Sequence, residues 1–319
     1  MLGFMLGRLP KLQGENLMMR HLRSGLSIFL AANFAWLAIV SISLHAENSP
    51  SPRRLLFFNR SVGFQHSVVE VKDGKPCYAE TILQPICKEH GWELVSTKDG
   101  RVFTPENLAK FDALLFYTQG DLLAESPRDH SPPMTPEGKQ ALLEAIKGGK
   151  GFVGFHCASD TFHSPGDKSE AQPVGKRDPY IDMVGGEFIV HQSQQETTMT
   201  VADPKFPGAG SLGDGFKMVE EWYSLKNFAD DLHVLLVNET KDMHDKCYDR
   251  PPYPATWIRN YGKGRVFYTS MGHREDVWTR PEFQSLVVGG ITWAVGDAKA
   301  DTTPNIRSVT PHADVMPKK

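Results

Sequence analysis

Histidine falls in this chain where chemistry is easiest to assemble. His66, His156 and His273 each lie at or just past the end of an apolar run, and His191 follows the Gly185-Gly186 turn. Imidazole exchanges protons near neutral pH, and its neutral form binds divalent metals. The stretch Glu220-Glu221-Trp222-Tyr223 adds carboxylates beside aromatic rings. Two chemistries fit. In one, His156 is a general acid/base with Glu221 or Asp160 as its carboxylate partner, while His66 and His273 bind substrate hydroxyls. In the other, His66, His156, His191 and His273 are candidate ligands of a divalent ion such as zinc, which would polarise a carbonyl or activate water. No compact H-E-x-x-H motif supports the metal, and with 12 histidines in the chain some reach strand ends by chance. Cys157 adjoins His156, but neighbours on an extended strand point to opposite faces, which disfavours a working Cys-His pair. Gln119 and Asp121, at the mouth of another apolar run, are further substrate-binding candidates. Trp222, Tyr223 and Trp257 join them if exposed, since flat rings suit stacking on a sugar; the plain alternative is that they are core.

These residues need elements to hold them. Gly151-Phe152-Val153-Gly154-Phe155 has the unbroken apolar character of a buried parallel strand and changes within one residue to His156-Cys157-Ala158-Ser159-Asp160. Ligands of an open α/β sheet bind outside the carboxyl ends of such strands. Before it, Thr135 as N-cap, Pro136 at the first helical position, the stripe Ala141, Leu142, Ala145, Ile146 and the stop Gly148-Gly149 predict a helix. The same alternation leads up to it: a strand at 54–59, a helix at 78–90 with Ile82, Leu83 and Ile86 inward, and strands at 92–96 and 112–118. Residues 162–179 read as a loop too polar for core. Strands follow at 197–201 and 234–238, then a hairpin over 255–270 turning at Tyr261-Gly262-Lys263-Gly264 and leading to His273, and a last helix at 280–295. The pattern predicts an α/β fold, a mostly parallel sheet with helices on both faces, as one domain over 54–298.

The ends read differently. Arg20 and Arg23 precede an apolar stretch from Leu26 to Leu44, and Ala46 is a candidate cleavage position, so residues 1–46 read as an export signal. An uncleaved anchor is the alternative, and a start at Met18 or Met19 would bring the basic residues to the amino terminus. Both imply a folded part outside the cytoplasm, periplasmic or extracellular. Residues 47–53 form a Ser/Pro linker, and 299–319 are expected to be disordered. Removing residues 1–46 takes away Arg8, Lys11, Arg20, Arg23 and Glu15 and moves the formal charge from −3 to −6. Mild acidity argues against nucleic acid, and against any membrane surface beyond the signal or anchor, as main partner. Cys77, Cys87, Cys157 and Cys247 show no C-x-x-C spacing. An oxidising compartment would allow Cys77 to pair with Cys87, but connectivity is not legible from spacing.

Taken in order, Gly63-Phe64-Gln65-His66, Thr118-Gln119-Gly120-Asp121, residues 151–162, Gly185-Gly186-Glu187-Phe188 with His191, Glu221-Trp222-Tyr223, and residues 261–268 running to Gly272-His273 resemble the trehalose-utilisation (ThuA-like) family. The resemblance spans nearly all of 54–296. It implies a flavodoxin-like sheet similar to class I glutamine amidotransferases and a role in sugar catabolism, often beside an oxidoreductase that forms 3-keto sugars. Those amidotransferases carry a nucleophilic Cys at the strand-to-helix elbow, in a Gly-x-Cys-x-Gly setting. Here Gly154-Phe155-His156-Cys157-Ala158 puts His156 at the elbow and Cys157 one residue late, and no convincing His-x-Glu pair downstream completes a triad, so glutaminase activity is disfavoured. The expectation is an exported isomerase, lyase or hydrolase acting on a small carbohydrate, a sugar or keto-glycoside. The alternative is a carbohydrate-binding or partner-docking protein without catalysis.

Overall fold

A computed structural model describes residues 51–128 and 130–318; the expected export signal or anchor lies outside them. The strands are β1 (Arg53–Phe58), β2 (Trp92–Thr97), β3 (Ala113–Phe116), β4 (Gly151–Phe155), β5 (Glu187–Val190), β6 (Gln195–Val201), β7 (Gly215–Glu220), β8 (Ser224–Lys226), β9 (His233–Asn238), β10 (Tyr253–Tyr261) and β11 (Gly264–Thr269). Nine of them form one sheet in the order β2-β1-β3-β4-β11-β10-β9-β6-β7, while β5 and β8 pair separately. From β2 to β11 all pairs are parallel. This is the flavodoxin-like order 2-1-3-4-5 with β11 in fifth place. Beyond it, β10, β9, β6 and β7 continue antiparallel.

Apolar runs become the strands that are buried on both sides. Leu55 to Phe58 and Phe152 to Phe155 are buried throughout. On β4, Phe152 meets Tyr180 of the helix Pro179–Val184 at 6.0 Å between centroids, while Phe155 meets Trp278 at 5.5 Å and Phe283 of the helix Pro281–Ala294 at 6.4 Å. Positions three apart on a strand face opposite ways, so helices cover both faces of the parallel half. Helix 136–147 starts as its cap dictates, with Thr135 Oγ1 accepting from the Gly138 amide at 3.0 Å. The β10–β11 hairpin closes on Gly262-Lys263, where Gly262 takes φ of +62°. Among the described residues, no helix is long and apolar enough to cross a membrane.

Three expectations are corrected. The inner line of helix Tyr78–Glu89 is Ala79, Leu83 and Cys87, with Ile82 and Ile86 on its shoulder, because the smaller side chains let the helix lie close. The polar loop at 162–179 carries buried Ser164 and Gln172, whose polar groups are fully engaged by Glu187, Asn227 and backbone. The tail is packed rather than disordered. Asn305 brackets Val234, accepting from its amide at 2.6 Å and donating to its carbonyl at 3.1 Å. Ile306 and Ala313 are buried, and the Ala313 carbonyl accepts from buried Arg250 at 2.6 Å. All four cysteines are buried free thiols.

Candidate functional site

The carboxyl ends of β1, β4 and β11 deliver three histidines to one place. His156 opens a 3-10 turn, His156–Asp160, directly after β4 and takes φ of +39°. That left-handed value is costly for a side chain other than glycine, and it falls on His156, not on Cys157. The Tyr268 hydroxyl pins this elbow by donating to the His156 carbonyl at 2.7 Å. His273 follows Gly272, whose φ of +118° turns the chain after β11 and whose carbonyl accepts from Tyr117 Oη at 3.1 Å and Trp278 Nε1 at 2.8 Å. Glu221 arrives from the other half of the sheet, at the end of β7. Its neighbour Glu220, fully buried, accepts from the Gly272 amide at 2.8 Å, the His273 amide at 3.1 Å and the Glu221 amide at 2.8 Å. Burial pushes the Glu220 carboxyl up to about 7 despite those amides. One buried carboxyl thus holds two site residues in register.

One side-chain atom from each of His66, His156, His273 and Glu221 lies within 4.8 Å of the others. Glu221 Oε2 is 3.0 Å from His273 Nδ1 and 3.4 Å from His156 Nε2. His156 Nδ1 is 2.8 Å from the Ser270 carbonyl, which can only accept, so Nδ1 carries the proton and Nε2 presents its lone pair to the centre. Both nitrogens of His66, His156 Nε2 and His273 Nδ1 are shielded from solvent without an aligned hydrogen-bond partner. Burial, reinforced by the neighbouring imidazoles, holds His66 well below its ordinary pKa; burial also lowers His156, against the pull of Glu221. Burial would lower His273 too, but contact with Glu221 raises it overall. Glu221 is driven upward by burial yet ends well below the usual carboxylate range because His156 and His273 face it. Imidazole nitrogens and an anionic carboxylate converging on one point form a donor set that suits a divalent ion.

The remaining sequence candidates divide. His191 Nδ1 is 3.2 Å from Glu221 Oε1, at the rim, with its ring over Tyr223. Tyr223 is buried with its ring 4.1 Å from that of His156. Asp160 belongs to an adjacent network: it accepts from Gln119 Nε2 at 2.9 Å and faces His163 Nε2 at 2.6 Å. Gln119 Oε1 accepts from the Gly63 and Phe64 amides at 2.8 Å each, so Gln119 fixes the loop that carries His66. Asp121 is exposed and closes a local turn through the Leu123 amide. Trp222 and Trp257 are corrected to core: both are fully buried, their indole nitrogens donating to the carbonyls of Gln195 and Val184. Cys157 is fully buried and burial pushes its thiol well up, unlike a nucleophile.

Sequence reasoning names Glu220 only as a carboxylate beside Glu221, and Glu187 only within Gly185-Gly186-Glu187-Phe188, and gives neither a role. Glu187 is fully buried and accepts from the Ser164 amide at 3.0 Å, Ser164 Oγ at 2.6 Å and Asn227 Nδ2 at 2.6 Å, with His163 Nδ1 at 3.2 Å and Lys226 Nζ at 3.9 Å. Burial would raise it, but His163 and Ser164 bring it down to about 2. His163, flanked by Asp160 and Glu187, is raised overall although burial alone would lower it.

Comparisons with known proteins agree with this architecture. The family model described as trehalose utilisation (ThuA) matches residues 54–294. A ThuA-like protein from Bacteroides uniformis superposes with a TM-score of 0.57 at 18% identity, covering 80% of this chain and 97% of its own. Another from Parabacteroides merdae gives 0.53 at 17% identity, covering 79% and 93%. At such identities the likeness shows the fold alone. No curated protein matches significantly. The family match covers well over half of the chain, and the protein therefore belongs to the ThuA, or trehalose-utilisation, family.

Proposed function

We propose that the protein is an enzyme of sugar catabolism that acts on a sugar or keto-glycoside at a divalent metal centre formed by His66, His156, His273 and Glu221. The observation that carries this reading is a set of shielded histidine nitrogens without aligned hydrogen-bond partners that converges with a Glu221 oxygen within 4.8 Å. Buried polar groups are nearly always satisfied, so a cluster of orphans implies a missing partner. Three imidazole nitrogens and one carboxylate oxygen favour zinc or a neighbouring transition metal over magnesium or calcium, which prefer oxygen. Such an ion supplies Lewis-acid polarisation of a sugar carbonyl or hydroxyl. The chain's own residues do the rest. The Ser270 carbonyl fixes the His156 tautomer, Glu220 holds Glu221 and His273 in place, and His191, partly exposed beside Glu221, carries protons at the rim. Residues 1–46 fit an export signal or anchor, which would put this activity outside the cytoplasm, where an oxidoreductase forming keto sugars is the fitting companion.

Elemental analysis of the purified protein, beside turnover assays on 3-keto sugars, tests the reading. We expect about one divalent ion per chain, lost together with turnover in His156→Ala. Turnover by folded, metal-free protein at the wild-type rate would remove the metal from the mechanism. Sugar binding that survives in His156→Ala, with no turnover by wild type on any sugar tried, would favour a non-catalytic binding protein.

A further inference from the structure

A cavity of about 500 Å³ opens beside the histidine cluster and meets it at His273. Its size is that of a small-molecule site, roughly 300–1,000 Å³. Phe64 and Val71 line it together with Glu70, Lys98 and Arg128. Phe64 is unusual among the large apolar residues in being 57% exposed. It is not loose: its amide donates to Gln119 Oε1 at 2.8 Å, its ring stands edge-on to His66 at 4.9 Å, and Arg128 Nε reaches the Gly63 carbonyl at 3.4 Å. A Cβ on Gly63 would lie 2.7 Å from Gln119 Oε1, so the glycine is what lets this loop be clamped. Phe64 and Val71, two of the exposed large apolar side chains among the described residues, line one cavity beside the site rather than being scattered singly.

Resting on the reading above, we propose that this cavity is the sugar subsite of the centre, with Phe64 as the platform on which a pyranose ring stacks. The chemistry of the walls selects a polyol. A sugar hydroxyl both donates and accepts, matching the Glu70 carboxylate as well as the Lys98 and Arg128 donors, while the apolar C–H face of the ring covers Phe64. A purely anionic or purely apolar ligand matches only part of that lining. A ring seated there presents its edge to His273 and so to the centre.

The test uses the full-length protein as purified, with trehalose, glucose and 3-keto-glucose as probes, binding followed by calorimetry and metal content measured in every sample. Phe64→Ala is expected to weaken binding of the sugar that wild type takes by about ten-fold or more, with unchanged metal content, and Phe64→Trp to restore it. Binding by Phe64→Ala within about two-fold of wild type would overturn the proposal, as would a Phe64→Trp variant as weak as the alanine, or no binding of any probe by wild type. The two readings fail separately. A Phe64 effect that persists in protein without metal keeps the subsite and discards the ion; stoichiometric metal with no Phe64 effect keeps the centre and discards the subsite.

Discussion

Two buried polar centres lie side by side at the carboxyl rim, and they differ in what they lack. Around Glu187, each carboxylate oxygen has donors: Ser164, Asn227, His163 and, farther off, Lys226, itself held by Gln172 Oε1 at 2.8 Å and the Glu170 carbonyl at 2.9 Å. Around Glu221, the imidazoles of His66, His156 and His273 leave shielded nitrogens without aligned partners. The first network is complete and explains the shape of the loop it ties down. The second, on the function proposed above, would be completed by an ion that the chain itself does not supply. Residue types would not have separated them, since both contain His and Glu; the hydrogen-bond accounting does.

The sharpest way to break the contrast is to remove the ion. Chelation should abolish turnover and lower the unfolding free energy by about 4 kcal/mol if the protein is measured near a thousand-fold metal saturation; identical melting with and without chelator would make the two centres alike. Next in size, Glu187→Ala takes the acceptor from Ser164, Asn227 and His163 and the counter-charge from buried Lys226, and should cost ~3–5 kcal/mol by denaturant titration, with metal content unchanged. Glu220→Gln alters the group that seats Glu221 and His273 and should weaken metal affinity ~10–100-fold, read by competition with a chromophoric chelator.

A pH series distinguishes the networks further. The Glu187 carboxyl is depressed from 4.5 to about 2, so its stabilisation is complete above 4.5 and lost as pH falls through about 2. His163 is raised above 6.5, so its contribution is present below 6.5 and lost as pH rises through its folded value. The stability gap between wild type and Glu187→Gln should therefore be widest between 4.5 and 6.5 and narrow on both sides. The smallest effect is expected from His66→Phe in metal-free protein. Replacing an orphaned imidazole by an apolar ring should change stability by less than about 1 kcal/mol, in either direction. A loss of several would mean that His66 is satisfied after all.

Much of this was legible in the sequence. Apolar runs that break into His or Gln gave β1, β3 and β4, and the rule that ligands gather at strand ends was enough to group His66, His156 and His273. Gly-Lys between two alternating runs gave the hairpin. The short strands β5, β7 and β8 were missed because three to six residues without a clear period do not distinguish strand from loop. Trp222 lies next to Glu221 in the chain yet faces the core, since adjacent side chains on extended backbone part company and pattern does not say which side is which. The tail was misread because composition counts apolar residues, whereas its order comes from polar anchors at Asn305 and at the Thr303 and Ala313 carbonyls together with the buried Ile306 and Ala313. The network around Glu187 was not legible, as its partners at 163, 164, 226 and 227 meet only through the fold.

The left-handed backbone at His156 also limits the routes by which such a protein can drift. Glycine, and to a lesser degree asparagine, can take that conformation at small cost, whereas valine, isoleucine or threonine would have to deform the end of β4. A descendant that replaced His156 while keeping the fold would thus most readily carry glycine or asparagine at this position. On the function proposed above, the same cleft would survive in such a chain as a receptor for its ligand, with the capacity to transform it gone.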